Sequence, residues 1–442
     1  MAQKLFRDPL YDYILIDLNK HDWLLDLINC PELQRLRYIT QLGLGQFTYP
    51  GSTHSRFSHS LGVMHLMKEC LIHLRQDYSN YIKPLEEEAL LAAALLHDVG
   101  HSPFSHATEA VFGDHEKRAL QIIQNPDSDV HKVLQKRAKT LPQKVNALLA
   151  ERNDAPAWQK SLISGQLDLD RLDFLRRDSL YSGAEYGNFD CFRIVHTMEL
   201  REKRIEGKQK GIFVVWPDKS KFAIEEYLFS RFYMYQSVYF HHTTKAFEAL
   251  LDRILTRAQD IAQDDKDFAR ELLPPLKLMM GGREAESPAD FQNLTDHVVL
   301  AQITLWQNSK DRILQDLSRR LVFRRGIGWM EITGTPFETT AKIEKVRVYL
   351  SKQGMEHKYY FVEHTSQAAP YKPYSSASAR EEQTSVNSIM LFDQKWPDTG
   401  FREITEVPGM ERLKAITGAP PASLRYYFPK EHQQEITKLL KG

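Results

Sequence analysis

The sequence is short of several things, and each shortage closes off an option. Only three cysteines occur in 442 residues, Cys30, Cys70 and Cys191, far apart and with no CxxC pair. That excludes a disulfide framework and a cysteine zinc module, and it suits a reducing compartment, so a cytoplasmic protein is expected. No apolar run reaches about 18 residues, so a soluble chain without membrane spans is expected. The stretch MAQKLFRDPLYDYILIDL has charges within its first eight residues and no long apolar block, which reads as neither a signal peptide nor an anchor. Net charge is missing too, with 58 basic residues against 58 acidic ones. A balanced chain has no global pull toward nucleic acid or anionic membranes, so anions must be met by local clusters.

What is present is enough for a large interior. Hydrophobic residues make up 42% of the chain. Its length suits two domains, or one large helical domain with an appendage. Residues 61–76, LGVMHLMKECLIHLRQ, repeat apolar positions at helical spacing. Residues 84–98 start with a proline and three glutamates and run into LLAAALLH, the pattern of a buried helix. Residues 225–262 read as a further long helical stretch. Near residue 320 the texture changes. KIEKVRVYLS (342–351), EHKYYFVEH (356–364) and SVNSIMLFD (385–393) are β-branched and aromatic and predict strands. AAPYKPYSSASAREEQTS (368–385) predicts a loop, and LPPLKLMMGGREAESPAD (273–290) an exposed connection. The expectation is a mainly α protein: a helical catalytic body over residues 1–320, then a smaller α+β domain over 321–442.

The seventeen histidines matter by position, because imidazole is both a metal ligand and an acid–base group. Four segments stand out: RFSHSLGV (56–63), LLHDVGHSPFSH (95–106), DHE (114–116) and LDLDRLDFLRRD (167–178). Asp98 ends the most apolar helix of the chain. A carboxylate there is costly unless paired or bound to a metal. One His–Asp dipeptide is most often an ion pair. With His59 upstream and Asp170 downstream, two imidazoles and two carboxylates from three segments make a mixed N/O site for a divalent ion.

The pattern H…HD…D with these flanks resembles the HD-domain phosphohydrolases. QRLRYITQLGLGQFTYPGSTHSRFSHSLGV (34–63), HDVGHSPFSH (97–106), LDLDRLDFLRRD and YQSVYFHHTTKAFEALLDRIL (235–255) resemble more closely the deoxynucleoside triphosphate triphosphohydrolases, including their antiviral branch. The resemblance covers roughly residues 5–260. It implies His59, His97, Asp98 and Asp170 as metal ligands, with magnesium, manganese, iron and zinc all compatible and a second magnesium ion held through substrate phosphates. It implies that Arg56 meets the α-phosphate, that His106 protonates the leaving 5′-oxygen, that His101 and His115 bind and orient phosphate, and that Glu109 orients an imidazole. Arg171 adds charge at the phosphates. Gln41, Leu42, Asp178 and Tyr239 surround the sugar, with Leu42 and Tyr239 crowding the 2′ position. The reaction implied is hydrolysis of a deoxynucleoside triphosphate to deoxynucleoside and inorganic triphosphate.

The chain departs from the antiviral branch in three places. Arg171 replaces a lysine, Phe174 a tyrosine on phosphate, and Asn29 an aspartate that reads guanine. The resemblance also implies a homo-oligomer, a dimer or tetramer, with activating nucleotides bound between subunits. NCPELQRLRY (29–38) matches the edge of that site through Gln34 and Arg37, and SRRLVFRR (318–325) offers Arg320 and Arg324. The same metal ligands serve nucleotidases and single-strand nucleases, which are the competing expectation. Retention of His59, His97, Asp98, Asp170 and His106 argues against a non-catalytic nucleotide sensor.

Overall fold

The computed structural model describes residues 2–150, 155–204, 210–280, 288–332, 336–366, 388–397, 400–417 and 423–441. The body of the molecule is built on long helices. The Arg56–Tyr78 helix starts at Ser55, whose side chain accepts from the Ser58 amide and so satisfies one free N–H of the first turn. The Pro84–Leu96 helix has proline in its first turn and buries every residue from Ala89 to Leu96. The two helices pack together, and the Leu169–Ser182 helix lies against the first. Gly62 permits that approach, since a Cβ at this position would sit 1.9 Å from Asp173 Oδ2. Asp168 caps the third helix by accepting from the Arg171 amide, and Gly183 at φ +73° ends it.

Nine strands are described. The hairpin β1 (Gln3–Asp8) and β2 (Asp12–Asp17) opens the chain. β3 (Glu199–Arg204) and β4 (Lys210–Pro217) form a second antiparallel pair. Further along come β5 (Ile327–Ile332), β6 (Val362–Ser366), β7 (Met390–Phe392), β8 (Phe401–Glu403) and β9 (Ser423–Pro429). One sheet has the order β3-β4-β7-β8, with β4 and β7 parallel. The other is antiparallel in the order β5-β9-β6. The expected mainly α architecture with a smaller α+β C-terminal region is therefore present.

The C-terminal chain serves two cores. Val346, Leu350, Tyr426, Phe428, Ile436 and Leu440 make a small core of their own. Ile389, Leu391, Ile404, Val407, Met410 and Leu413 instead join the main core, beside Leu61, Leu90 and Ile224 of the body. Arg412 reaches Glu225 across the same junction at 2.6 Å.

Several local expectations are corrected. Residues 342–351 are not a strand but part of the Pro336–Lys352 helix. Val346 and Leu350 lie four apart and are both fully buried, so helical spacing of the apolar positions outweighs their β-branched neighbours. Residues 356–364 begin with a helical turn, His357–Tyr360, before entering β6. In 385–393 the strand is confined to Met390–Phe392, and residues 385–387 lie outside the described residues. The stretch 225–262 is two helices, Lys221–Met234 and His242–Asp264, separated by a π-helical turn over Tyr235–Tyr239. Within 273–290, Pro274–Met280 forms a 3-10 helix with Leu276 and Met279 buried, so that part is not exposed. Residues 281–287 and the expected loop 368–385 lie outside the described residues.

Candidate active site

Four side chains from three helices converge. His59 comes from the first turn of the Arg56–Tyr78 helix, His97 and Asp98 follow the end of the Pro84–Leu96 helix, and Asp170 lies in the first turn of the Leu169–Ser182 helix. His59 Nε2 is 3.2 Å from His97 Nε2 and 2.9 Å from Asp170 Oδ1. His97 Nε2 is 3.4 Å from Asp98 Oδ1 and 3.6 Å from Asp170 Oδ1. Such separations are what ligand atoms about 2.1 Å from a shared ion would show.

The ring protons point to the same conclusion. His59 Nδ1 donates to Asp173 Oδ1 at 2.8 Å, and His97 Nδ1 donates to the Ala94 carbonyl at 2.9 Å. Both acceptors can only accept, so each Nδ1 keeps the proton of its neutral ring. Each Nε2 is then the nitrogen turned toward the shared point, where a cation would accept its lone pair. Without a cation, burial pushes His59 down, yet hydrogen bonds to Asp170 and Asp173 outweigh it and hold the ring up at about 10. The residues therefore fit a divalent ion.

Asp173 is a functional residue that sequence reading did not single out. It is fully buried and clamped by Arg177, whose Nε lies 2.8 Å from Asp173 Oδ1 and whose Nη1 lies 2.8 Å from Asp8 Oδ2 at the end of β1. The β1–β2 hairpin thus helps fix Asp173, and through it the His59 ring. The only signal in the sequence was the crowding of aspartates in LDLDRLDFLRRD.

Around this centre lies a cavity of about 460 Å³. Arg56, His59, Asp98, His101, His106, His115 and Asp170 line one part of it. Arg56 donates from Nη1 to Asp98 Oδ2 at 2.5 Å and from Nε to Ser105 Oγ at 2.9 Å. Burial alone would raise the Asp98 carboxyl, but Arg56, His97 and His101 hold it well below the usual carboxylate range. His101 is pushed far down, by burial first and by Arg56 second, and stays neutral. Its ring stacks on His115 with centroids 3.8 Å apart. Glu109 bridges His106, at 3.2 Å, and His115. Burial raises the Glu109 carboxyl, and the two imidazoles more than reverse this and keep it ionised. His101, Glu109 and His115 also form a second cluster of metal-ligating type.

Gln41, Leu42, Phe174, Asp178 and Tyr239 line another part of the cavity. The Tyr239 hydroxyl donates to Asp178 Oδ2 at 2.7 Å, and His54 Nε2 lies 2.7 Å from Asp178 Oδ1. Burial and Asp178 both push the Tyr239 hydroxyl well up, so it remains a donor. Gln41 Oε1 is buried without a protein partner.

Other expected residues are placed elsewhere. Arg171 is not among the residues lining the cavity; its Nη1 bonds the Gly165 carbonyl at 2.6 Å and pairs with Asp168. Arg320 is spent on Asp316 at 2.7 Å and Glu431 at 2.5 Å. Arg324 donates to the Phe47 carbonyl at 3.0 Å. Gln34 accepts from Arg37 at 2.7 Å, and the Arg37 guanidinium covers the Phe57 ring at 3.7 Å.

A family model for the HD domain matches residues 56–157, and one for the HD associated region matches residues 189–273. YwfO of Bacillus subtilis is 33% identical over 432 residues, covering 97% of this chain and 93% of that protein. This chain belongs to the HD-domain phosphohydrolase family. The matched HD domain contains Arg56, His59, His97, Asp98, His101, His106 and His115, whereas Asp170 falls between the two matched regions. A crystal structure of a phosphohydrolase from Bacteroides thetaiotaomicron superposes with a TM-score of 0.77 at 27% identity, covering 97% of this chain and all of that one. The deoxynucleoside triphosphate triphosphohydrolase SAMHD1 of Mus musculus is 27% identical over 245 residues, 48% of this chain and 36% of that protein. Among the described residues, no helix is long and apolar enough to cross a membrane.

Proposed function

We propose that this HD phosphohydrolase cleaves deoxynucleoside triphosphates at the α-phosphorus, releasing deoxynucleoside and inorganic triphosphate. The observation that carries the reading is a single cavity lined both by His59, Asp98 and Asp170 of the candidate metal centre and by Gln41, Leu42, Asp178 and Tyr239. The similarity to SAMHD1 supports the substrate class.

His59, His97, Asp98 and Asp170 would hold the ion; magnesium, manganese, iron and zinc all suit this N/O set. When bound, a divalent ion there supplies Lewis acidity and makes water a better nucleophile. Arg56 neutralises charge on the phosphoryl oxygens. Neutral His101 holds a phosphate oxygen through a hydrogen bond and does not compete as an acid. His106 gives its proton to the departing 5′-oxygen, with Glu109 turning the ring by accepting from Nδ1. Leu42 and Tyr239 crowd a 2′-hydroxyl, while Asp178 accepts from the 3′-hydroxyl and the Gln41 side-chain amide donates to its oxygen. Phe174 lines the cavity but has no hydroxyl to donate, so the phosphates lack that hydrogen bond. With Arg171 latched to Asp168, phosphate charge falls chiefly on Arg56 and the ion.

Metal-loaded protein incubated with each of the four dNTPs should release inorganic triphosphate. Chelation should stop turnover, and one added divalent ion should restore it. Asp98→Ala should lose metal and activity together. Cleavage of a single-stranded oligonucleotide with no dNTP turnover would assign the site to phosphodiesters instead.

A further inference from the structure

His54 stands outside the metal centre and belongs to no expected site, yet it touches two residues of the sugar end. Its side chain is completely buried. Nε2 lies 2.7 Å from Asp178 Oδ1, and the ring face stacks on Tyr181 with centroids 4.4 Å apart. Nδ1 is buried with no partner. A proton on Nδ1 would be an unsatisfied buried donor, so the proton sits on Nε2, which donates to Asp178. The backbone of the same residue acts on the other contact, because the Gln41 amide donates to the His54 carbonyl at 2.9 Å. Chain segments near 40 and 55 are joined there by an antiparallel bridge between Thr40 and Ser55.

Asp178 therefore takes fixed donors on both oxygens, His54 on Oδ1 and Tyr239 on Oδ2. Two donors from different elements hold the carboxylate against rotation, and each oxygen keeps a further lone pair for a donor from the cavity. We propose that His54 is a positioning residue: it holds Asp178 in the orientation that accepts from a 3′-hydroxyl, and its backbone carbonyl holds the segment that carries Gln41 beside it, and so makes the enzyme select for an unmodified 3′ position. This rests on the reading of the cavity as a deoxynucleotide site.

Two variants separate positioning from packing. His54→Phe keeps a flat ring on Tyr181 but removes the donor; His54→Gln keeps an N–H near the position of Nε2. Turnover of a dNTP is compared with that of its 2′,3′-dideoxy counterpart on metal-loaded protein. The wild type should prefer the 3′-hydroxyl form, His54→Phe should lose about tenfold of that preference, and His54→Gln should keep most of it. An equal loss on both substrates in His54→Phe would overturn the inference and leave the triphosphohydrolase reading standing. If the wild type turns over no dNTP, that reading falls, and the same comparison is made by calorimetric binding of the two nucleotides to metal-loaded protein. A 3′-hydroxyl preference lost in His54→Phe and kept in His54→Gln then supports the role of His54. Absence of any such preference in the wild type overturns it.

Discussion

At the scale of single residues, the candidate metal-binding side chains stood out because their types and flanks are distinctive. Their supports were not. His59 depends on Asp173, 114 positions away, and Asp178 depends on His54, 124 positions away. Nothing local in THSRFSH or RLDFLRRD says which carboxylate meets which ring. Asp173→Asn keeps an acceptor for His59 Nδ1 but removes the charge that makes the ring a better ligand. Metal affinity should fall about 10–100-fold, read from a binding isotherm with a competing chelator. Unchanged affinity would mean that Asp173 serves only Arg177. Arg171 shows the opposite case: its place in the sequence suggests a phosphate contact, but the buried Asp168 beside it captures the guanidinium. Arg320 likewise reads as a free basic residue until Glu431, 111 positions on, reaches it.

At the scale of elements, buried apolar spacing was a better guide than residue preference. The Pro84–Leu96 helix was legible because a uniformly apolar run after proline and glutamates has few other solutions. The Pro336–Lys352 helix was misread because Val, Tyr and Ile favour strands when no partner is known. Its Val346–Leu350 face instead finds Ile436, Leu440 and the side chains of β9. Leu350→Ala should therefore cost about 2–5 kcal/mol in the small C-terminal core, seen as an earlier thermal transition. Were residue 350 in an exposed element, the loss would be negligible. A second element-scale effect concerns Asp311, which caps the Arg312–Val322 helix and pairs with Arg257 of the His242–Asp264 helix at 2.5 Å. Burial would raise the Asp311 carboxyl, but the Arg257 pair holds it below the usual range. Its folded pKa is thus lower than its unfolded one. The stabilisation is complete above the unfolded value, about 4, and is lost as pH falls through the folded value. Asn is an equally good cap, so Asp311→Asn isolates the ion pair. Its melting temperature should be lower at pH 7, by no more than about 1 kcal/mol equivalent, and the deficit should shrink below about pH 4.

At the scale of the whole molecule, the chain beyond residue 320 closes the body as well as forming its own layer. Residues 389–413 bring six buried side chains to the main core, and β7 extends the sheet begun by β4. A chain stopped after residue 320 would expose the surfaces these cover and would leave Arg320 without Glu431. Such a truncation should aggregate or melt well below the intact protein, as followed by scattering and thermal unfolding. A monomeric fragment with native stability and full metal affinity would show that the body needs no help from the C-terminal chain.

The amino-acid order alone settled what is local: helical periods, the proline and glycine boundaries, and the set of side chains able to hold a cation. It did so because those features depend on spacing along one segment and on intrinsic chemistry. Which rings share protons with which carboxylates, which arginines remain free, and which core receives residues 389–413 were decided only by the folded arrangement. Each of those outcomes turns on partners more than a hundred residues apart or on a capture by a neighbour, and spacing carries no record of either.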